Sequence, residues 1–344
     1  MRIIHFVSSD KISGLEILSM NMLREMSKNH EVYYSCPDGD GIRRARELGL
    51  GTIVCNTRSK ADIKRVCAEY EPDAVHAHDP AVSFTCALAG IKFVAHLHAN
   101  CSWLSKICPN SVALLFVCLK AHKVICVSDS IVNQYIFKSA LKKKSVVISN
   151  FVDSDSVLEM SREECAEMYD ISYVGRLVEE KNPLMFLETV SKIAETRPDV
   201  KAVMIGDGDK RGEVESSIIS LGLQNNVTLK GFDINPYRFV KNSRVGALTS
   251  SVEGFGLVAV EAMILGKPYV AFPVGGLVDI ISDENGKLCI STSEMAEEIL
   301  KLLSDCDYYN SKSAAAEKSS KKFTDKKGYV NKILEIYDGI KKGR

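Results

Sequence analysis

RIIHFVSSDKISGLEILSMNMLREMSK, residues 2–28, carries the pattern from which the fold is read. A continuous apolar run leads into a short Ser/Asp/Gly loop, and apolar residues then recur at helical spacing from Leu15 to Lys28. A strand that is apolar throughout is buried on both faces, and a helix following it is the repeating unit of a parallel sheet. The unit recurs along the chain. EVYYSC (31–36), GTIVC (51–55), AVHAH (74–78), KFVAHLH (92–98), KVICVS (123–128) and SVVISN (145–150) read as further strands, with helix-like stretches such as Ser59 to Tyr70 between them. ISYVGR (171–176), KAVMIGD (201–207), VTLKGF (227–232), RVGALTS (244–250) and PYVAFP (268–273) repeat the scheme. The expected fold is α/β, with two Rossmann-like doubly wound parallel-sheet domains that bind ligands at the carboxyl ends of their strands.

At 344 residues the chain exceeds one average core, in keeping with two domains. The polar, acidic stretch DSDSVLEMSREECAEMYD (153–170) shows no strand pattern and marks the boundary. The expected division is a first Rossmann-like domain over 1–160, a second over 161–323, and a terminal helix over 324–344. Val330, Ile333, Leu334, Ile336 and Tyr337 give that helix an apolar face, which packing on the first domain would bury.

Lys plus Arg and Asp plus Glu both total 44, so the chain lacks the basic excess that wholesale nucleic-acid binding needs. Its 11 cysteines include no C-x-x-C pair and read as reduced thiols of a cytoplasmic protein. No secretory leader precedes the first strand, and no apolar run reaches the ~18 residues of a membrane span. Basic Phe137–Lys144 and apolar Ser111–Leu119 together suit peripheral contact with an anionic inner membrane face; a buried helix and a solvated loop explain them equally.

The strongest chemical signal is SSVEGFGLVAVEA, residues 250–262, which leaves a strand and opens a helix around Phe255. Gly254 and Gly256 let backbone approach a ligand, and a helix start offers free amides to a phosphate. Glu253 and Glu261 lie about two turns apart, too far to act on one atom, and suit two separate sets of hydroxyls. The plainer reading is a capping and a surface glutamate. In YVGRLVEEKNP (173–183), Arg176 and Lys181 can converge on a diphosphate, or form a solvated basic loop. MIGDGD (204–209) brings Gly206 and Gly208 to a turn that wraps a nucleotide or is simply tight. Gly14 precedes a helix in SSDKISGLE (8–16), where a phosphate can approach the backbone. Gly275 opens a similar turn in GGLVDII (275–281). His76/His78 and His96/His98 are H-x-H pairs; no Cys, Asp or Glu set completes a metal site, although Asp79 follows one pair, so they read as polar strand-end residues.

These landmarks, in this order, resemble the retaining glycosyltransferases of family 4, with GT-B architecture: two Rossmann-like domains facing a cleft. The resemblance covers nearly the whole chain. It runs through the Gly14–Glu16 loop, HAH (76–78), VSDS (127–130), SNFVD (149–153), GRLVEEKN, IGDGD, the Glu-x7-Glu segment and GGLVDII. Ser13-Gly14 stands where family members often have two glycines, and Phe151 makes the turn after the first domain bulkier.

The resemblance implies that Arg176 and Lys181 hold a donor diphosphate, Glu261 the ribose and Glu253 the sugar hydroxyls. It implies that backbone at Phe255 to Val258, Leu257 included, meets phosphate, and that His98 faces the reaction centre. No metal or cofactor is implied beyond the nucleotide diphosphate sugar, a UDP-sugar before GDP-mannose, with a glycan or lipid-linked acceptor. A nucleotide-sugar epimerase or hydrolase, or a non-catalytic nucleotide-sugar-binding protein, is the alternative. A nicotinamide dehydrogenase is disfavoured, since neither half has G-x-G-x-x-G after its first strand.

Overall fold

The computed structural model describes residues 1–342 and divides into two units. The first comprises Met1–Phe151 and the segment from Asp325 onward; the second is Val152–Thr324.

The first unit holds a seven-stranded sheet of β1 (Arg2–Phe6), β2 (Glu31–Cys36), β3 (Gly51–Val54), β4 (Ala74–His78), β5 (Val94–Leu97), β6 (Lys123–Cys126) and β7 (Ser145–Val147). Their order is β3-β2-β1-β4-β5-β6-β7, and every pairing is parallel. The second unit holds β8 (Tyr169–Val174), β9 (Ala202–Ile205), β10 (Val227–Gly231), β11 (Ser243–Leu248), β12 (Tyr269–Ala271) and β13 (Gly286–Leu288) in the order β10-β9-β8-β11-β12-β13, again all parallel. In each sheet the order reverses beside one strand: between β1 and β4, and between β8 and β11. Loops diverge there in opposite directions, which opens a crevice at the strand ends.

The continuous apolar runs become central strands buried on both faces, as in β9 and β12. Local chemistry then starts the helices. Ser13 and Glu16 form a capping box at Gly14–Met26, Asp79 accepts from the Val82 amide at 2.9 Å, and Ser59 accepts from the Asp62 amide.

The acidic stretch after Asp153 contains a helix, Ser154–Met160, which packs on the helices Tyr237–Lys241 and Leu257–Ile264 of the second unit. The division thus falls at Phe151/Val152 rather than near residue 160. Val157 is the helix's buried residue, too little apolar pattern to mark it in the sequence. The last helix, Lys326–Lys342, buries Tyr329, Val330, Ile333, Tyr337 and Ile340 in the core of the first unit, beside Leu23 and Met26. Phe151 packs on Tyr329 with ring centroids 4.9 Å apart. Among the described residues no helix is long and apolar enough to cross a membrane.

Candidate active site

At the switch point of the second unit, the segments after β8 and β11 lie against each other. β8 ends at Val174, and Gly175-Arg176 leads into a short 3-10 turn, Glu179–Lys181. Asn182 then takes a left-handed conformation (φ 48°) before Pro183 starts a long helix. The amide of Ser251 donates to Glu180 O at 2.9 Å, and Thr249 Oγ1 donates to Asn182 O at 2.8 Å. These bonds place the Lys181 ammonium on the Glu253 carboxylate, with both side chains mostly buried. Ser250 Oγ donates to the same carboxylate oxygen at 3.4 Å. Arg176 lies exposed and makes no ion pair with the described residues.

Glycines bring the neighbouring loops this close. A Cβ on Gly206 would stand 1.9 Å from Gly175 O, and one on Gly208 would stand 2.3 Å from Leu177 O. Their bare side therefore faces the Arg176 loop, which the Leu177 amide ties to Asp207 O at 3.0 Å. Gly275 (φ 56°) passes so near Glu253 that a Cβ would lie 1.7 Å from its carbonyl oxygen, and the Gly276 amide donates to Gly254 O at 3.0 Å. The signal for this contact was the Gly-Gly pair at 275–276.

The helix after Glu253 begins at Leu257, not around Phe255. Gly256 stands at φ 100°, a conformation outside the helical range, so helical hydrogen bonding starts only after it. Phe255 is buried and packs on Phe323. No described side chain caps this helix start. Glu261 sits on the helix, half-buried, and accepts from Tyr237 Oη at 3.2 Å. Desolvation pushes its carboxyl up to about 7, against the lowering effect of the Tyr237 bond. Tyr237 gives no sequence signal; it lies on a separate helix.

In the first unit, Gly14 is the first residue of its helix, and the buried Glu16 carboxylate reaches back to the Ser13 amide at 2.9 Å. Asp79 Oδ2 accepts from the Ser8 amide at 3.2 Å, joining the ends of β1 and β4. His98 follows β5, half-buried, with its Nε2 2.9 Å from His78 Nδ1. Both H-x-H pairs meet here. Register sets His5 opposite His76 and His78 opposite His96, so five imidazoles share one sheet face. Nitrogens of His5, His76 and His78, and of His78, His96 and His98, lie within 4.8 Å of one another. Burial holds all five rings neutral, with His98 lowered to about 3 and the others well below the usual histidine range. His5 was missed in the sequence, where it is a lone polar residue in an apolar strand, and Tyr337 was read only as part of the apolar face of the last helix.

Residues 12–156 match the family model described as Glycosyltransferase Family 4, and residues 163–321 match Glycosyl transferases group 1. The chain belongs to the family 4, group 1 glycosyltransferases. This glycosyltransferase is 30% identical over 166 residues to the alpha-D-kanosaminyltransferase of Streptomyces kanamyceticus, covering 45% of this chain and 42% of that protein. It is 30% identical over 226 residues to an uncharacterized glycosyltransferase of Methanocaldococcus jannaschii, covering 64% and 60%. The chain thus spans less than two thirds of the length of these curated relatives. The crystal structure of Anabaena HepE in complex with UDP-glucose superposes with a TM-score of 0.87 at 22% identity, over 98% of this chain and 100% of that one. The likeness establishes the GT-B fold. Of the residues expected at the site of this glycosyltransferase, Arg176, Lys181, Gly206, Gly208, Glu253, Gly254, Phe255, Gly256, Leu257 and Glu261 belong to the second unit, whereas Gly14 and His98 belong to the first.

Proposed function

We propose that this glycosyltransferase transfers a hexosyl or N-acetylhexosaminyl group, with retention, from a nucleotide diphosphate sugar to a hydroxyl of a glycan or lipid-linked acceptor. The observation that carries this reading is the Lys181–Glu253 pair at the switch point of a parallel sheet, where α/β folds bind nucleotides. Lys181 and the exposed Arg176 supply positive charge for the diphosphate, and backbone at residues 254–258 meets it through Gly254, Gly256 and the uncapped helix start. Glu253 then takes sugar hydroxyls, Glu261 the ribose, and His98 a substrate oxygen. Departure of the phosphate from the face that the acceptor approaches lets a phosphate oxygen take the acceptor proton. The protein's part is positioning and charge stabilisation.

A UDP-sugar is the favoured donor, with GDP-mannose next. HepE, with the same fold, was solved with UDP-glucose, and relatives include a capsular polysaccharide biosynthesis glycosyltransferase of Staphylococcus aureus. Synthesis of cell-surface polysaccharide or glycoconjugate fits the second of these. Thermal-shift screening against UDP- and GDP-sugars tests the donor class, since a ligand of the folded state raises apparent stability. Stabilisation by UDP-glucose or UDP-N-acetylglucosamine is expected. No shift with any UDP- or GDP-sugar overturns the reading.

Peripheral membrane contact on the acceptor side belongs to the same proposal. The helices Pro109–Lys120 and Lys138–Lys144 pack together; the first exposes Val112, Leu119 and Lys120, and the second Lys138, Lys142 and Lys143. Apolar residues among lysines suit an anionic lipid surface. Flotation with phosphatidylglycerol vesicles checks it; protein left at the bottom of the gradient removes the idea.

A further inference from the structure

Three cations gather where the strands of the second unit begin, with no anion among them. Lys241 ends the helix Tyr237–Lys241, Arg244 is the second residue of β11, and Lys267 stands two residues before β12. β11 and β12 are neighbours, and the Gly246 amide donates to Pro268 O at 3.0 Å, which brings the Lys267 segment alongside Arg244. The helix Cys306–Ser320 covers the same place. Its Ser313 Oγ donates to Gly266 O at 2.6 Å, and the Arg244 guanidinium carbon lies 4.2 Å from the centre of the Tyr309 ring.

None of Lys241, Arg244 and Lys267 forms an ion pair or a side-chain hydrogen bond with the described residues, and Arg244 Nε is buried without a partner. Arg244 and Lys267 are half-buried, and Lys241 is exposed. Burial, and then the charges of Arg244 and Lys241, hold the Lys267 ammonium down at about 8. Like charges repel, and half-buried ones have lost part of the hydration that would offset the repulsion. Elsewhere in this unit enclosed cations have partners: Lys181 has Glu253, Arg238 has Asp233, and Lys312 has the carbonyls of Asp283 and Gly286. The negative end of the helix Tyr237–Lys241 accounts for Lys241, but not for Arg244 or Lys267.

What the cluster lacks is an anion with several acceptor oxygens. Stacking on Tyr309 occupies a face of the guanidinium and leaves its N–H edge to donate, while the two lysines supply point charges. Three positive charges suit the nearly double negative charge of a phosphate monoester better than the single charge of a carboxylate.

We propose that Lys241, Arg244 and Lys267 form a second anion site, which takes a phosphate monoester at the end of the sheet opposite the donor site. The six residues of extended chain from Arg244 to Ser250 span about 20 Å, so a phosphate held here does not touch the Lys181–Glu253 pair. The site stands independently of the donor reading. A phosphorylated soluble compound and a phosphatidic acid headgroup offer the same chemistry.

The test is a thermal-shift titration of the full chain with inorganic phosphate against sodium chloride at equal ionic strength, with UDP present throughout to occupy the donor site. Phosphate is expected to raise the melting temperature beyond chloride, since a ligand of the folded state stabilises it. Lys267→Met and the exposed Lys241→Ala should each weaken phosphate binding about tenfold, the size of a lost charge-assisted contact, and leave UDP affinity within about twofold of the wild-type value. Stabilisation of the wild-type protein no greater with phosphate than with chloride overturns the proposal, and that measurement needs no variant to fold. Equal phosphate binding by wild-type protein and both variants also overturns it. Flotation with phosphatidic acid vesicles identifies the source of the phosphate: weaker flotation of both variants assigns a lipid headgroup, and unchanged flotation with weakened phosphate binding assigns a soluble compound.

Discussion

Lys181 and Glu253, 72 residues apart in sequence, are ion-paired at the strand ends of the second unit. Under the proposed function, diphosphate binding draws Lys181 away from this pair and frees the carboxylate for sugar hydroxyls. Lys181→Ala is expected to weaken UDP binding about tenfold or more, the size of a lost charge-assisted hydrogen bond. Glu253→Gln is expected to leave UDP binding at least as tight as in the wild-type protein while lowering sugar transfer. Isothermal titration with UDP separates the two; equal weakening by both variants contradicts this exchange of partners.

Arg176 makes no ion pair with the described residues, so its removal exposes no partner charge. Arg176→Ala should therefore leave the melting temperature within about 2 °C while weakening UDP binding about tenfold. A comparable loss of thermal stability without loss of affinity would assign Arg176 to folding.

If Glu261 holds the ribose as proposed, UDP binding acquires a pH dependence. Its carboxyl, raised to about 7 by desolvation, ionises as pH rises through neutrality. An ionised carboxylate accepts two ribose hydroxyl bonds, whereas a protonated one accepts fewer. UDP affinity is expected to fall by up to about tenfold per pH unit below 7. In Glu261→Gln the dependence should flatten at the weaker level, as titration calorimetry between pH 5.5 and 8.5 will show.

Gly275 tests the contact between the two turns. Its positive φ and the 1.7 Å approach of a Cβ to Glu253 O leave no room for alanine. Gly275→Ala should destabilise the protein by about 2 kcal/mol or more and displace Glu253. Chemical denaturation measures the first effect, and loss of UDP-induced stabilisation the second.

The histidine cluster predicts acid lability. Each ring has a folded-state pKa below its unfolded value of about 6.5, so the unfolded chain binds more protons. Stability is complete above pH 6.5 and is lost as pH falls, by about 1.4 kcal/mol per unit for each histidine kept neutral. Glu261, whose pKa is raised, works in the opposite direction and offsets about one of the five. A melting temperature that falls steeply between pH 6.5 and 5, before ordinary carboxylates titrate, is expected; a flat profile contradicts it.

Strands such as β9 and β12 were legible in the sequence because burial on both faces leaves an uninterrupted apolar run. β13 was not: Gly286–Leu288 has three residues, two of them only half-buried, and Lys287 in the middle. Most of the residues proposed for the donor side were legible in the sequence because they sit next to a strand end or a glycine turn; Glu261 lies within a helix. Their pairing was not, since Lys181 meets Glu253 through backbone bonds that depend on β8 and β11 being neighbours. The same holds for His5. Strand order, not strand pattern, puts it beside His76, and Tyr337 arrives from a helix that is more than 300 residues away in sequence.

That last helix makes the first unit discontinuous, and this bears on how the protein is made. The second unit is one unbroken segment, Val152–Thr324, and can close on the ribosome as soon as it has emerged. The first unit is synthesised earlier but must wait: Leu23, Met26 and the neighbouring core stay uncovered until Tyr329 to Ile340 have been added. Birth order and completion order are thus reversed, and a nascent chain halted near residue 324 would hold a finished second unit beside a first unit with an open apolar face.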